Sequence, residues 1–143
     1  MGQPGMPEHL SLEIPAQTAA METLLDAVDS FGKTHDWSEV AAFHVRMVLE
    51  EILMNVIMHG GDGTREPSVW LDLEQQAQGV LLTVQDDGVA FDPTLVAPPD
   101  IEASLEERDI GGLGVHLMHT LMDHVSYCHA NGRNCLRLQK SVA

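Results

Sequence analysis

The chain has 143 residues and a mass of 15.6 kDa, the size of one ordinary domain, so a second catalytic domain does not fit. Its 7 Lys and Arg stand against 22 Asp and Glu for a formal net charge of -15, which excludes a nucleic-acid-binding surface built on general phosphate attraction and disfavours an anionic membrane. No apolar run is long enough to span a bilayer, the start Met1-Gly2-Gln3-Pro4-Gly5 lacks the pattern of a secretory signal, and Cys128 and Cys135 are too few for a disulfide scaffold or a four-ligand zinc site, so a cytoplasmic, reducing setting is expected.

Residues 1–9, with Gly2, Pro4, Gly5 and Pro7, read as a flexible lead-in to a single domain over 10–143. Leu10, Leu12 and Ile14 alternate with Ser11 and Glu13, which predicts a strand with one buried face, stopped by Pro15. From Gln17 to Phe31 the apolar positions Ala20, Leu24, Ala27, Val28 and Phe31 recur at helical spacing, with Gly32 and Lys33 as the expected end. Asp36 followed by Glu39 has capping-box spacing, with Ser38 as a competing start. A long helix is then predicted to His59, closed by Gly60-Gly61-Asp62-Gly63.

Two strand-like runs, 68–74 and 80–85, flank Gln76-Ala77-Gln78-Gly79 and suggest an antiparallel hairpin. Residues 93–111 hold three prolines, five acidic residues and a single base, Arg108, a composition suited to an exposed mobile segment. Gly111-Gly112-Leu113-Gly114 opens a second helical pattern to about Met122. The runs 125–130 and 133–138 around Asn131-Gly132 form the strongest hairpin signal, because Asn-Gly suits a turn that needs positive φ twice. This order predicts an α+β sandwich with one mostly antiparallel sheet covered by helices on one face. Across that two-residue turn, Cys128 and Cys135 fall opposite each other at a hydrogen-bonded pair with Cα atoms about 5.5 Å apart, which permits a bridge; free thiols are expected in a reducing compartment.

Three segments have the residue types for chemistry. On the long helix Glu51, Asn55 and His59 recur at spacings of four and share one face. With Glu50 beside them, a carboxylate and an amide there suit oriented water and a Mg2+ shell, although an ordinary solvated helix face has the same pattern. Asp86-Asp87-Gly88 at a strand end offers an acceptor for a base amino group and a glycine for close backbone approach; an Asx turn is the alternative. Gly111, Gly112 and Gly114 open a helix, whose free N–H groups suit phosphates, and also fit a simple tight turn. The run completes neither a dinucleotide fingerprint nor a P-loop, since neither Lys33 nor Lys140 follows a glycine-rich loop. The eight histidines, including His116, His119 and His124, form no closed ligand set and read as surface or packing residues.

Taken together, the three segments resemble the GHKL ATPase fold shared by gyrase, MutL and the catalytic domains of histidine kinases. Glu51-Ile52-Leu53-Met54-Asn55-Val56-Ile57-Met58-His59 resembles its N box, Asp86-Asp87-Gly88-Val89-Ala90-Phe91-Asp92-Pro93 its first glycine box, and Gly111-Gly112-Leu113-Gly114-Val115-His116-Leu117-Met118 its second. The form is that of the small, single-domain anti-sigma factor serine kinases, and it covers the chain from Leu10 to about Leu138.

The resemblance implies a Bergerat-type ATPase sandwich with ATP and Mg2+ as cofactors. It implies Asn55 as the Mg2+ ligand, and Glu51 as the catalytic group that polarises the attacking water or substrate hydroxyl. It further implies Asp86 as the reader of adenine N6, Gly88 as the glycine that makes room for the base, Gly112 and Gly114 beside the phosphates, and 93–111 as the ATP lid with Arg108 as its cationic residue. Two positions depart from the pattern: Ala90 replaces a second glycine, and Asn134 and its neighbours do not supply the strand threonine that many members place near adenine.

The expected function is transfer of the ATP γ-phosphate to a serine of an anti-anti-sigma-like protein, with a sigma factor as the other partner and a homodimer left open. No direct contact with nucleic acid or membrane is expected. Histidine-kinase activity in cis is disfavoured, since no helical hairpin bearing an acceptor histidine precedes the nucleotide domain. The alternative is a regulatory module that keeps the fold and uses nucleotide, if at all, to set its shape.

Overall fold

The computed structural model describes residues 8–61, 63–92 and 118–142. The expected strand is β1, His9–Pro15, followed by helices α1, Thr18–Thr34, and α2, Glu39–His59. The two hairpins are β2, Ser68–Gln75, with β3, Gly79–Asp86, and β4, His124–Ala130, with β5, Arg133–Ser141. They form one five-stranded sheet in the order β1-β2-β3-β5-β4, with every neighbouring pair antiparallel. Asn131 and Gly132 both have positive φ, 57° and 75°, as the predicted Asn-Gly turn requires.

Period-two patterning decides which face closes. Val69, Leu71 and Leu73 of β2, Val80, Leu82 and Val84 of β3, and Leu136 and Leu138 of β5 are buried on the same side. Against them pack Met21, Leu24, Leu25, Val28 and Phe31 of α1 and Ala41, Val45, Val48, Leu49, Leu53 and Val56 of α2. A fully buried Leu or Val contributes about 1.5–3 kcal/mol, more than a helix cap at about 1 kcal/mol. The core therefore holds α1 although its N-cap, Gln17, makes no side-chain capping bond. The result is the expected α+β sandwich with helices on one face, and among the described residues no helix is long and apolar enough to cross a membrane.

Two expected helix ends move. Ser38, not Asp36, caps α2, because its Oγ accepts from Ala41 N at 3.1 Å while Asp36 takes a left-handed φ of 58° in the turn. Gly32 does not end α1, which continues to Thr34. A Cβ on Gly32 would lie 2.6 Å from Trp37 Cε3, so this glycine makes room for a buried tryptophan whose Nε1 donates to Gln75 Oε1 at 2.7 Å. Of the second predicted helix, a single turn at 118–121 is described, with Met118 buried in the core. The start of that helix, the lead-in 1–7 and the segment 93–111 lie outside the described residues.

Candidate functional site

Arg46 shows which flank of α2 faces α1. Its guanidinium donates to Asp29 Oδ2 at 2.5 Å and to Glu22 Oε2 at 3.4 Å, both on α1. At about 100° per residue, Glu51 and Asn55 lie roughly 140° and 180° round the helix from Arg46, on the flank turned away from α1. Both are half-buried, whereas His59, one turn on, is exposed.

The end of this helix is tied to the end of β3. Gly60 O accepts Val89 N at 2.8 Å, and a Cβ on Gly88 would sit 2.6 Å from the same carbonyl oxygen. Gly88 thus allows the backbone after β3 to lie against the backbone after α2, a contact that its residue type alone does not reveal. Asp87 secures the loop from the other side. Its Oδ1 accepts Ser68 N at 2.8 Å, and Arg65 donates to its Oδ2 at 3.1 Å and its carbonyl at 2.9 Å. Burial pushes the Asp87 carboxyl up, but these donors outweigh it and hold the group below its ordinary range. The cleft lined by Gly60, Arg65, Pro67, Asp87, Gly88 and Val89 encloses about 110 Å3, less than the roughly 300 Å3 of a small-molecule pocket, and Asp86 does not line it.

Asp86 turns to the closed face. Its Oδ1 accepts Gly88 N and Asn134 Nδ2, each at 3.0 Å. Burial nevertheless dominates and raises its carboxyl above the ordinary range. Asn134, opposite it on β5, is 6% exposed and is the one buried polar side chain among the described residues. Its Nδ2 also donates to Val89 O at 2.9 Å, while its Oδ1 accepts Phe91 N at 3.0 Å and the Tyr127 hydroxyl.

The structure therefore places Asp86 at the end of β3 and Gly88 in the loop that follows, joined through Gly60 to the helix that carries Glu51 and Asn55. Arg108, Gly112, Gly114 and the lid segment lie outside the described residues. In the sequence Asn134 is only a departure from the pattern, yet it donates to the Asp86 carboxylate. A signal was available: alternation in β5 puts Asn134 on the same face as Leu136 and Leu138, an amide where the pattern calls for an apolar side chain. Arg65, an exposed loop cation, carried no comparable signal.

An acceptor-only carboxylate in a desolvated setting suits a nucleobase amino group, and an oxygen-bearing helix flank suits Mg2+. Serine/threonine-protein kinase BtrW of Bordetella bronchiseptica is 30% identical over 136 residues, which cover 95% of this chain and 94% of that protein. Serine-protein kinase RsbW of Listeria monocytogenes is 23% identical, over 89% of this chain and 83% of its own. In fold, the chain is similar to the histidine kinase domain of a blue-light activated histidine kinase from Erythrobacter litoralis, with a TM-score of 0.53 at 15% identity, covering 90% of this chain and 62% of that one. The sequence pattern of the histidine kinase-like ATPase domain matches residues 14–140, from the end of β1 into β5, and the chain belongs to that family.

Proposed function

We propose that this chain is an ATP- and Mg2+-dependent protein-serine kinase of the anti-sigma type, which phosphorylates a serine of an anti-anti-sigma-like protein and also binds a sigma factor. The observation that supports it most is Asp86, a half-buried carboxylate with one oxygen held by Gly88 and Asn134, at the end of β3 just before a loop bound to the end of the Glu51–Asn55 helix. The names of the similar proteins, serine- and serine/threonine-protein kinases, supply the reaction class.

ATP would supply the transferable phosphoryl group, and Mg2+ would offset the charge on its phosphates. This chain's residues position and deprotonate. Asp86 would receive the adenine 6-amino group, Asn55 would hold the metal through its amide oxygen, and Glu51 would take the proton from the partner's serine Oγ as that oxygen bonds to the γ-phosphorus, the bond to the bridging oxygen breaks and ADP leaves. Gly112, Gly114 and Arg108, with the lid at 93–111, complete the phosphate side in this reading. Such in-line transfer needs little covalent help from the protein, so alignment of the acceptor is the main demand.

The test is mass spectrometry for phosphoserine after incubation of the chain with Mg-ATP and its anti-anti-sigma-like partner. Glu51→Gln should keep ATP affinity within about twofold and lower transfer by about 100-fold or more, the usual share of a general base. Asn55→Ala should weaken the Mg2+-dependent part of ATP binding. Full transfer by Glu51→Gln would reassign the base, and ATP binding with no phosphoserine in the partner would favour the regulatory-module reading.

A further inference from the structure

We propose that Asn134 determines which purine the site accepts, by fixing one oxygen of Asp86 and leaving the other as the atom that reads the base. The inference rests on the adenine-reading role given to Asp86 above. It concerns a residue that need not touch the nucleotide, and so a positioning residue.

An asparagine amide has two N–H bonds to donate and one oxygen with two lone pairs. All four are used here. Nδ2 donates to Asp86 Oδ1 at 3.0 Å and Val89 O at 2.9 Å, and Oδ1 accepts Phe91 N at 3.0 Å and the Tyr127 hydroxyl. Rotating the amide by half a turn would set its oxygen against the Asp86 and Val89 oxygens and its NH2 against the Phe91 N–H. At 6% exposure, water does not repair such mismatches, so the amide has one orientation.

That orientation passes to Asp86. Its Oδ1 receives two donors, Asn134 Nδ2 and Gly88 N, and no hydrogen bond to its Oδ2 is present among the described residues. The carboxylate plane is thereby pinned, and among the described residues Oδ2 keeps its acceptor capacity. An ionised Oδ2 attracts a purine 6-amino group and repels a 6-oxo group. The pinning gives a sharper consequence for Asp86→Asn. The two fixed donors still demand an oxygen at the Oδ1 position, so the introduced NH2 must take the Oδ2 position and face the base as a donor. Selectivity should then invert towards a 6-oxo purine, and the inversion depends on Asn134.

The experiment is calorimetric titration of the full chain with ATP and with inosine triphosphate, which carries a 6-oxo group in place of the amino group. Wild type should favour ATP by about tenfold or more, the scale of one hydrogen bond to a charged group. Asp86→Asn should favour inosine triphosphate. Asn134→Ala should reduce the wild-type preference, and Asn134→Ala combined with Asp86→Asn should shrink the inversion, because Gly88 N alone then orients the amide at position 86. Both nucleotides are titrated into the same sample, so a loss of folded protein cancels in the ratio, which a merely structural role would leave unchanged. Asn134→Ser, which puts one hydroxyl in place of the four-bonded amide, reads the same ratio should the alanine variant not fold.

Outcomes separate the two levels of the argument. Equal affinities in wild type, or no ATP binding, would remove Asp86 as the adenine reader and this inference with it. An ATP preference in wild type that Asn134→Ala and Asn134→Ser leave intact, or an inversion as large in the double variant as in Asp86→Asn, would overturn the role of Asn134 alone.

Discussion

Two polar clusters close the same end of the sheet, one on each face, and they differ in what water can do for them. On the inward face a buried Asn134 joins half-buried Asp86 and Tyr127, and every polar atom of the asparagine side chain has a protein partner. On the outward face Arg133 lies 3.6 Å above the Trp70 ring and donates to Gln85 Oε1 at 3.3 Å, while Trp70 Nε1 donates to Glu13 Oε1 at 2.6 Å. An unmade hydrogen bond costs about 1–3 kcal/mol in the first setting. In the second, solvent replaces most contacts, and each is worth about 1 kcal/mol or less. The inward cluster can therefore hold a geometry, and the outward one mainly shields the sheet.

The largest break in this contrast is expected at Gly88. Its missing Cβ would meet three backbone atoms of Gly60 at 2.6–3.0 Å, and backbone yields less readily than the end of a side chain. Gly88→Ala should destabilise the fold by about 1–3 kcal/mol in urea unfolding, the usual range for overpacking, and should weaken ATP binding by shifting Asp86. Unchanged stability and affinity would show that the inward cluster does not depend on its contact with α2.

A smaller effect separates the two adjacent carboxylates by pH. Asp87 has a lowered folded pKa, so its contribution is present above the ordinary carboxylate value of about 3.9 and is lost as pH falls through the folded value. Asp87→Asn should therefore cost stability at neutral pH, by less than about 1 kcal/mol because Arg65 is largely exposed, and the difference should vanish in acid. Asp86 has the opposite sign. Its raised folded pKa means that the folded state holds the proton longer, so stability declines as pH rises from the ordinary value through the folded one. Asp86→Asn should remove that decline. Urea unfolding from neutral pH to about pH 3 reads both, and parallel profiles for the two variants would erase the distinction between inward and outward carboxylates.

The sequence made these faces legible wherever periodicity did the work. Alternation located all five strands to within a few residues, and Asn131-Gly132 located a turn that uses positive φ twice. Contacts between distant segments were not legible. The acidic pair Asp36 and Glu39 satisfied the capping spacing, but the turn put Asp36 at positive φ and left the cap to Ser38. Gly32 read as a helix stop because nothing local announces that Trp37 packs on it. At the candidate site, the motif singles out Asp86 and Gly88, yet what holds them, Asn134 from a strand 48 residues away and Gly60 from the end of α2, depends on tertiary placement.

The smallest effect belongs to the outward face and tests whether it is as tolerant as its solvent contact implies. Cys128 and Cys135 are partners across β4 and β5, and Cys135 also pairs with Gln85 of the outward row. Both are free, Cys128 exposed and Cys135 half-buried. Burial, and then the neighbouring Cys128, push the Cys135 thiol up, which leaves it less thiolate for reaction near neutral pH. Iodoacetamide under native conditions should thus modify Cys128 first and Cys135 more slowly, without prior reductant, as followed by intact mass and peptide mapping. Because Cys128 is exposed, the first adduct should change the unfolding free energy by no more than about 0.5 kcal/mol. Two thiols that react only after reduction would replace the free pair with a bridge. A first adduct that unfolds the protein would put the outward face under the same packing constraint as the inward one, and the contrast between the two clusters would no longer rest on access to water.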